Sequence, residues 1–460
     1  ASRAGDQDVV VPLMSVTIST FAPEDIAVVS HAVVMGGGRL IGTSSGVERG
    51  LVRAAVSPEG VGSLARLGCV NWIEEYVPPV LNNDFAAKGG HLNVTNVWTT
   101  YGLNGSNQII GHADTGLDIG STNGIHPDFA GRIKAAYARG RPGNWSDPDG
   151  HGTHTAGSIL GNGAASSGQF RGVAWQARLV HQSLIGASGS ITSGIPVDLN
   201  ELFIQAYTNG ARIHSDSWGT PLYGYYDADS RNVDLFMWNH PDMLLVFSAG
   251  NQGEDYYSTY GVVDSDSLDA PGTAKNLLTV GASESDRAPG SGGYSSDTWG
   301  DNWSAWFPYS PIYSDYISQS ADGSHQGMAA FSGRGPTDDS RFKPDIVAPG
   351  TDVISCRSRA TTNTGWGILA ANTNYLFNGG TSMSCPLMAG CAALVRQYFM
   401  DLRGMTNPSA ALVKATLLNG ARSLSPGQHG TGTYREIPAS PRPNNVEGWG
   451  QGNLEETLCP

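Results

Sequence analysis

Charge is scarce in this chain: only 15% of its 460 residues are Asp, Glu, Lys or Arg. The balance is acidic, 27 Lys and Arg against 41 Asp and Glu, for a formal net charge of −14. Runs of basic residues are absent as well, which argues against an electrostatic footprint for nucleic acid or an anionic membrane and suits a soluble protein. No uninterrupted apolar stretch approaches the roughly 18 residues of a membrane-spanning helix. The first residues show no basic segment followed by an apolar one, so any export signal is expected to lie outside this sequence. Cysteine is sparse, and Cys69, Cys356, Cys385, Cys391 and Cys459 form no C-x-x-C pair, so a zinc ribbon or thioredoxin-type motif is unsupported. With 40% hydrophobic residues and 61 glycines the chain is turn-rich but holds enough apolar side chain for sizeable cores. Its length predicts two or three folding units.

Residues 9 to about 77 read as β-α-β-β-α-β. Strands are expected over 9–20, 39–43, 51–56 and 69–77. One helix starts at Pro23 and stops at Gly36-Gly37-Gly38; another is capped by Ser57 with Pro58 behind it. This order is that of a ferredoxin-like α+β unit. The three glycines start no G-x-G-x-x-G and are read as a helix stop. Pro78-Pro79 breaks the pattern, and a domain boundary is placed at Asn82, giving units 1–82 and 83–460. Beyond it, short apolar runs at 108–113, 177–184, 212–217, 243–248 and 277–280 alternate with helical patterns. They predict an α/β doubly wound, mostly parallel sheet with helices on both faces. In such folds chemistry gathers outside the carboxyl ends of the strands.

Four segments stand there. Asp114-Thr115-Gly116 ends one run. His151-Gly152-Thr153-His154 opens a helix in which Gly152, Ala156 and Gly157 allow close packing. Gly380-Thr381-Ser382-Met383 leads into another helix, with Pro386 expected in its first turn. Serine needs a histidine base, itself oriented by a carboxylate, to act as a nucleophile, and Asp114, His151 and Ser382 supply the three. Backbone donors at a helix start suit an oxyanion, and Asn251, closing the run at Phe247, could add a side-chain donor.

These signatures, with Ser217-Trp218-Gly219, resemble those of the subtilisin-like serine proteases. Asn83-Asp84, Tyr101-Gly102-Leu103, Ala211-Arg212-Ile213-His214 and 271–276 look most like the bacterial oxidatively stable alkaline subtilisins, over about 83–455. Two departures are an aromatic-rich insertion at Arg287–Ile317 and an end soon after Gly448-Trp449-Gly450, where those relatives continue into a β-sandwich. The resemblance implies a secreted, monomeric endopeptidase acting on proteins or peptides through an acyl-enzyme; the alternatives are a latent zymogen that needs another protease and a non-catalytic pseudoprotease of the same fold. Ser382 would be the nucleophile, His151 the base and then acid, Asp114 the orienting carboxylate, and Asn251 with the Ser382 N–H the oxyanion hole. It puts Ser217, Trp218 and Gly219 with Ser248, Ala249 and Gly250 along the pocket for the residue before the scissile bond. Neither segment supplies an acid, so an uncharged preference is expected. Residues 1–82 would be an intramolecular inhibitory propeptide, released by cleavage between Asn82 and Asn83.

The acidic loop after Asn251 is a candidate structural calcium site through Asp255, Asp264 and Asp266, in keeping with calcium's preference for oxygen ligands. Cys385 and Cys391 are too far apart along one helix, about 9 Å, to pair with each other. Two pairings of Cys356 and Cys459 with them remain beside free buried thiols. His154, His112 and His181 are read as packed core histidines. The sequons at Asn93, Asn104, Asn144 and Asn302 are read as unmodified, and Met383 as an oxidation target beside the nucleophile.

Overall fold

Ser57 caps its helix as its sequence implies, the hydroxyl accepting the Gly60 N–H at 3.1 Å, with Pro58 in the first helical position. The computed structural model describes residues 13–46, 48–76, 80–81 (backbone alone), 92–318, 327–439 and 442–458. The chain divides into two units: Ala1–Pro78 with Pro196–Asn200, and Pro79–Ile195 with Glu201–Pro460. The boundary expected at Asn82 and the Asn82–Asn83 bond lie outside the described residues, as does Cys459.

The first unit contains β1 (Met14–Thr20), α1 (Ile26–Met35), β2 (Arg39–Ser45), β3 (Gly50–Val56), α2 (Pro58–Leu64) and β4 (Val70–Glu75). The strands form one antiparallel sheet in the order β2-β3-β1-β4, the ferredoxin-like arrangement read from the sequence. Its core is Val16, Ile18, Val52 and Ala54 from the strands under Val29 and Val33 of α1.

The second unit begins with β5 (Val80–Leu81), α3 (Val94–Tyr101), β6 (Ile109–Asp114), β7 (Ile133–Ala138), α4 (His151–Leu160), β8 (Arg178–Ser183), α5 (Asn200–Thr208), β9 (Ile213–Asp216), β10 (Trp218–Gly219) and α6 (Ala228–Asn239). It continues with β11 (Leu244–Ser248), β12 (Leu278–Ser283), α7 (Trp299–Trp303), β13 (Ile346–Pro349), β14 (Val353–Cys356), β15 (Gly367–Ile368), β16 (Tyr375–Asn378), α8 (Thr381–Gln397), α9 (Ala410–Asn419) and α10 (Leu454–Leu458). Seven strands form a parallel sheet in the order β13-β12-β11-β9-β6-β8-β7. The chain leaves β6 to one side for β7 and β8 and returns to the other for β9, so strand order reverses at β6. This is the switch point at which such sheets open a crevice, and Asp114 is the last residue of β6.

Two expectations change. Pro386 sits inside α8 rather than in its first turn, so the carbonyl four residues back, that of Ser382, loses its helical donor. Neither disulfide pairing forms, because Cys356, Cys385 and Cys391 are free buried thiols. Cys356 points at Asp128 and Cys385 at the carbonyls of Val246 and Asp216, and burial pushes the thiols of Cys385 and Cys391 up to about 12. The aromatic insertion is built inward: Trp299, Phe307 and Ile317 share one apolar cluster with Phe331, Phe377 and Met383.

Candidate active site

Asp114 and His151 come from different elements and meet because those elements pack with almost no side chain between them. A Cβ on Gly152 would lie 2.4 Å from the Gly116 carbonyl oxygen and 3.1 Å from the Asp114 Cβ, so only glycine lets the start of α4 rest on the turn after β6. Asp147 ties the two together. Its Oδ1 accepts from Thr115 Oγ1 at 2.8 Å and from the Gly150 N–H at 2.9 Å, and its Oδ2 from the Thr153 N–H at 2.8 Å. The result is a 2.5 Å contact between His151 Nδ1 and Asp114 Oδ1.

Asp114 is fully buried. Burial alone would raise its carboxyl, but the His151 charge and hydrogen bond, with the His112 imidazole 3.6 Å away, overcome this and hold it well below the ordinary carboxylate range. Burial pulls His151 down while Asp114 pulls it up, and the net direction is upward. His151 Nε2, the nitrogen turned away from Asp114, makes no hydrogen bond among the described residues.

Ser382 is the second residue of α8, within the first turn whose N–H groups have no helical acceptor. Its Oγ donates to the Ser217 carbonyl at 3.1 Å, while the Ser217 hydroxyl donates to the Ser382 carbonyl at 2.9 Å. Asn251 is oriented by Thr381, whose N–H and Oγ1 donate to the same Asn251 oxygen at 2.9 and 3.0 Å. Two donors on one amide atom identify it as the oxygen and leave Nδ2 as the donor end.

Ser217, Trp218 and Gly219 follow β9, and Ser248, Ala249 and Gly250 close β11, so both segments stand at carboxyl ends of the sheet. The Trp218 indole donates to the Ala113 carbonyl at 3.0 Å. Between the two segments runs a residue that the sequence reading grouped only with the acidic loop. Asp269, fully buried, donates its N–H to the Ala249 carbonyl at 2.9 Å, while Ala270 next to it bridges Thr220. The Asp269 carboxylate faces Gly250 so closely that a Cβ there would lie 2.5 Å from its Cγ.

The calcium candidates are not drawn together in this way. Asp264 accepts the N–H groups of Tyr256, Tyr257 and Ser258 at 2.7 to 2.8 Å, Asp255 accepts that of Gly261 at 2.8 Å, and Asp266 is exposed. Three amide donors leave Asp264 room for about one further ligand, so the donor set fits a hydrogen-bonded loop better than an ion cage. Among the described residues the one trio of potential metal ligands converging within 4.8 Å is His126, Asp128 and Cys356. It too is closed by its own bonds, with Tyr375 and Cys356 donating to Asp128 Oδ2 and Ala165 to Oδ1. His154 Nε2 donates to the Val353 carbonyl at 3.0 Å, away from the catalytic pair.

Comparison with known proteins agrees with this geometry. Residues 105–450 match the Subtilase family (Peptidase S8), and the chain belongs to that family. It is 30% identical over 431 residues to the serine protease/ABC transporter B family protein tagA of Dictyostelium discoideum, an alignment covering 76% of this chain and 24% of that protein. To serine protease AprX of Bacillus subtilis it is 29% identical over 309 residues, 65% of this chain and 59% of the relative. The chain thus spans about a quarter of the length of tagA and just over half that of AprX. The crystal structure of fervidolysin from Fervidobacterium pennivorans, described as a keratinolytic enzyme related to subtilisin, shares the fold with a TM-score of 0.62 at 18% identity. That match covers 99% of this chain and 62% of that one. No helix among the described residues is long and apolar enough to cross a membrane.

Proposed function

We propose that this chain is a serine endopeptidase that cleaves peptide bonds through an acyl-enzyme formed on Ser382. The observation that carries the reading is the 2.5 Å pairing of His151 with a buried, ionised Asp114, which keeps the His151 proton on Nδ1 and leaves the Nε2 lone pair available as a base. In the reaction the Ser382 hydroxyl attacks the scissile carbonyl and passes its proton to Nε2. The oxyanion is held by Asn251 Nδ2 and the Ser382 N–H. His151 then returns the proton to the departing amine as the oxyanion collapses back to a carbonyl and the peptide C–N bond breaks, leaving the acyl group on Ser382. Water, activated by the same nitrogen, hydrolyses the ester and regenerates Ser382.

The reading includes secretion and a self-processing precursor in which residues 1–82 inhibit the enzyme until the Asn82–Asn83 bond is cut. Supporting it, β5 lies antiparallel to β10, Leu81 opposite Trp218 and Val80 opposite Gly219. An extended substrate would pair with that edge in the same way. The nearer kinship to oxidatively stable alkaline subtilisins rests on the stretches 83–84, 101–103, 211–214 and 271–276. A structural calcium at Asp255, Asp264 and Asp266 finds less support, and chelation that lowers the melting temperature by several degrees would argue for it.

Asp269 changes the expected substrate. With a buried carboxylate against Gly250, the pocket favours a side chain that brings hydrogen-bond donors, Arg or Lys above all and Asn after them, over a purely apolar one. Profiling a peptide library with the wild type and with Asp269→Ser tests this: the wild type favours donors before the scissile bond and the variant loses that preference. An apolar preference in both would overturn it. The peptidase reading itself is tested by turnover of a fluorogenic peptide, present in the wild type and absent in Ser382→Ala.

A further inference from the structure

Behind Asp114 the hydrogen bonds do not stop. His112 precedes it by two residues on β6 and therefore shares its face of the sheet, and His181 stands directly across on β8. Both histidines are fully buried. Their Nδ1 atoms are 3.0 Å apart. His112 Nε2 lies 2.9 Å from Thr155 Oγ1 and 3.6 Å from Asp114 Oδ2, and Thr155 Oγ1 lies 3.0 Å from the same Asp114 oxygen.

Two nitrogens facing one another at this distance share one proton, and the surroundings decide who carries it. His181 Nε2 has no hydrogen-bond partner among the described residues around its buried site. An N–H left there without an acceptor is the costlier arrangement, since orphaned buried donors are rarer in proteins than under-used acceptors. His181 therefore carries its proton on Nδ1 and donates to His112 Nδ1. His112 must then be protonated on Nε2 and donates to Thr155 Oγ1, whose hydroxyl donates on to Asp114 Oδ2. Every donor in this chain has an acceptor, and all point toward the carboxylate. Run the other way, the chain would turn a His112 lone pair toward the Asp114 charge and strand the His181 N–H.

We propose that His112, backed by His181, is a positioning residue for the catalytic pair: it commits the Thr155 hydroxyl to Asp114 Oδ2, so that Oδ1 stays aimed at His151 Nδ1. Without His112, Thr155 has competing acceptors in the carbonyls of His151 and Gly152, at 3.2 and 3.1 Å. The charged and titratable groups around the chain are Asp114 on β6, His151 on α4, His181 on β8, Asp216 on β9 and the Cys385 thiol on α8. The inference rests on the peptidase reading of this site.

His112→Phe keeps the bulk and removes both nitrogens. Its kcat is expected to fall by about tenfold or more with KM little changed, as for a lost orienting interaction. The acid limb of its kcat/KM profile is expected to move to higher pH, because an Asp114 with fewer donors holds the His151 proton more tightly. His112→Gln, whose amide nitrogen reaches toward the Nε2 position, recovers both. Wild-type kcat and pH profile in a folded His112→Phe overturn the proposal; if that variant does not fold, Thr155→Val is read by the same criteria. Independently of turnover, ¹⁵N shifts of the histidines in Ser382→Ala are expected to place the His181 proton on Nδ1 and the His112 proton on Nε2, and the opposite tautomers overturn it. Failure of this chain is thus distinguishable from failure of the peptidase reading, which the activity of wild type against Ser382→Ala decides.

Discussion

Ser217 and Ser382 exchange hydrogen bonds, each hydroxyl donating to the other's carbonyl, at 2.9 and 3.1 Å. The cause is Pro386. Four residues into the helix from Ser382, it has no N–H to offer the Ser382 carbonyl, and the Ser217 hydroxyl takes that place. A wall of the expected substrate pocket is in this way pinned to the expected nucleophile.

Removing the Ser217 hydroxyl leaves a buried carbonyl without a donor, at a cost of about 1–3 kcal/mol. Ser217→Ala is expected to melt several degrees lower and to lose kcat. Pro386→Ala restores an N–H in the right position, so the double variant Ser217→Ala/Pro386→Ala is expected to recover stability relative to Ser217→Ala. Strict additivity of the two changes in thermal or urea unfolding would contradict this coupling.

His151 must be neutral at Nε2 to accept the serine proton, and the Asp114 charge raises its pKa above 6.5 despite burial. Activity is present above the folded pKa and lost as pH falls through it. The acid limb of kcat/KM is therefore expected above pH 6.5. A limb at or below that value would show that Asp114 does not dominate the base.

Met383, next in sequence to Ser382, is fully buried in the aromatic cluster built by the insertion. The sequence alone marks it as an oxidation target; the structure predicts protection. Under mild peroxide, peptide mapping is expected to find Met405, 43% exposed, converted to sulfoxide well before Met383. Equal rates would mean that the cluster opens readily.

Glu284, Asp315 and Glu436 are buried together, with the Gln428 amide nitrogen donating to the first two at 2.8 and 2.6 Å. Burial raises all three carboxyls, Glu436 to about 7, against the pull of Arg334. A raised carboxyl stays protonated in the folded chain while the unfolded chain has already ionised. The stability it contributes is complete below the unfolded value of 4.5 and is lost as pH rises through about 7. The melting temperature is expected to fall over that window, and Asp315→Asn is expected to flatten the fall. A flat profile in the wild type would contradict it.

Much of this arrangement was legible in the sequence because subtilase chemistry is written in short local motifs. Asp114, His151 and Ser382 each sit where a strand ends or a helix begins, and glycine spacing announced the close packing at Gly152 and Gly157. The four strands of the first unit were readable from Pro, Gly and cap residues. What stayed hidden acts across long sequence distances. Asp147 and Thr381 look like ordinary polar loop residues until the fold sets them beside Thr115 and Asn251. Asp269 reaches Gly250 only because a separate loop returns between two strand ends. His112 and His181 read as core histidines, which they are, but only the β6–β8 register turns them into partners of Asp114. In the acidic loop, too, only the fold shows that Asp255 and Asp264 accept backbone amides while Asp266 is exposed.

The central claim, a serine nucleophile activated by His151, is tested most directly by treating the protein with a serine-reactive phosphonate and mapping the adduct by mass spectrometry, with His151→Ala alongside. A single adduct on Ser382 that forms in the wild type and is suppressed in His151→Ala is the predicted result. Labelling elsewhere, or labelling of Ser382 at the same rate without His151, would contradict it.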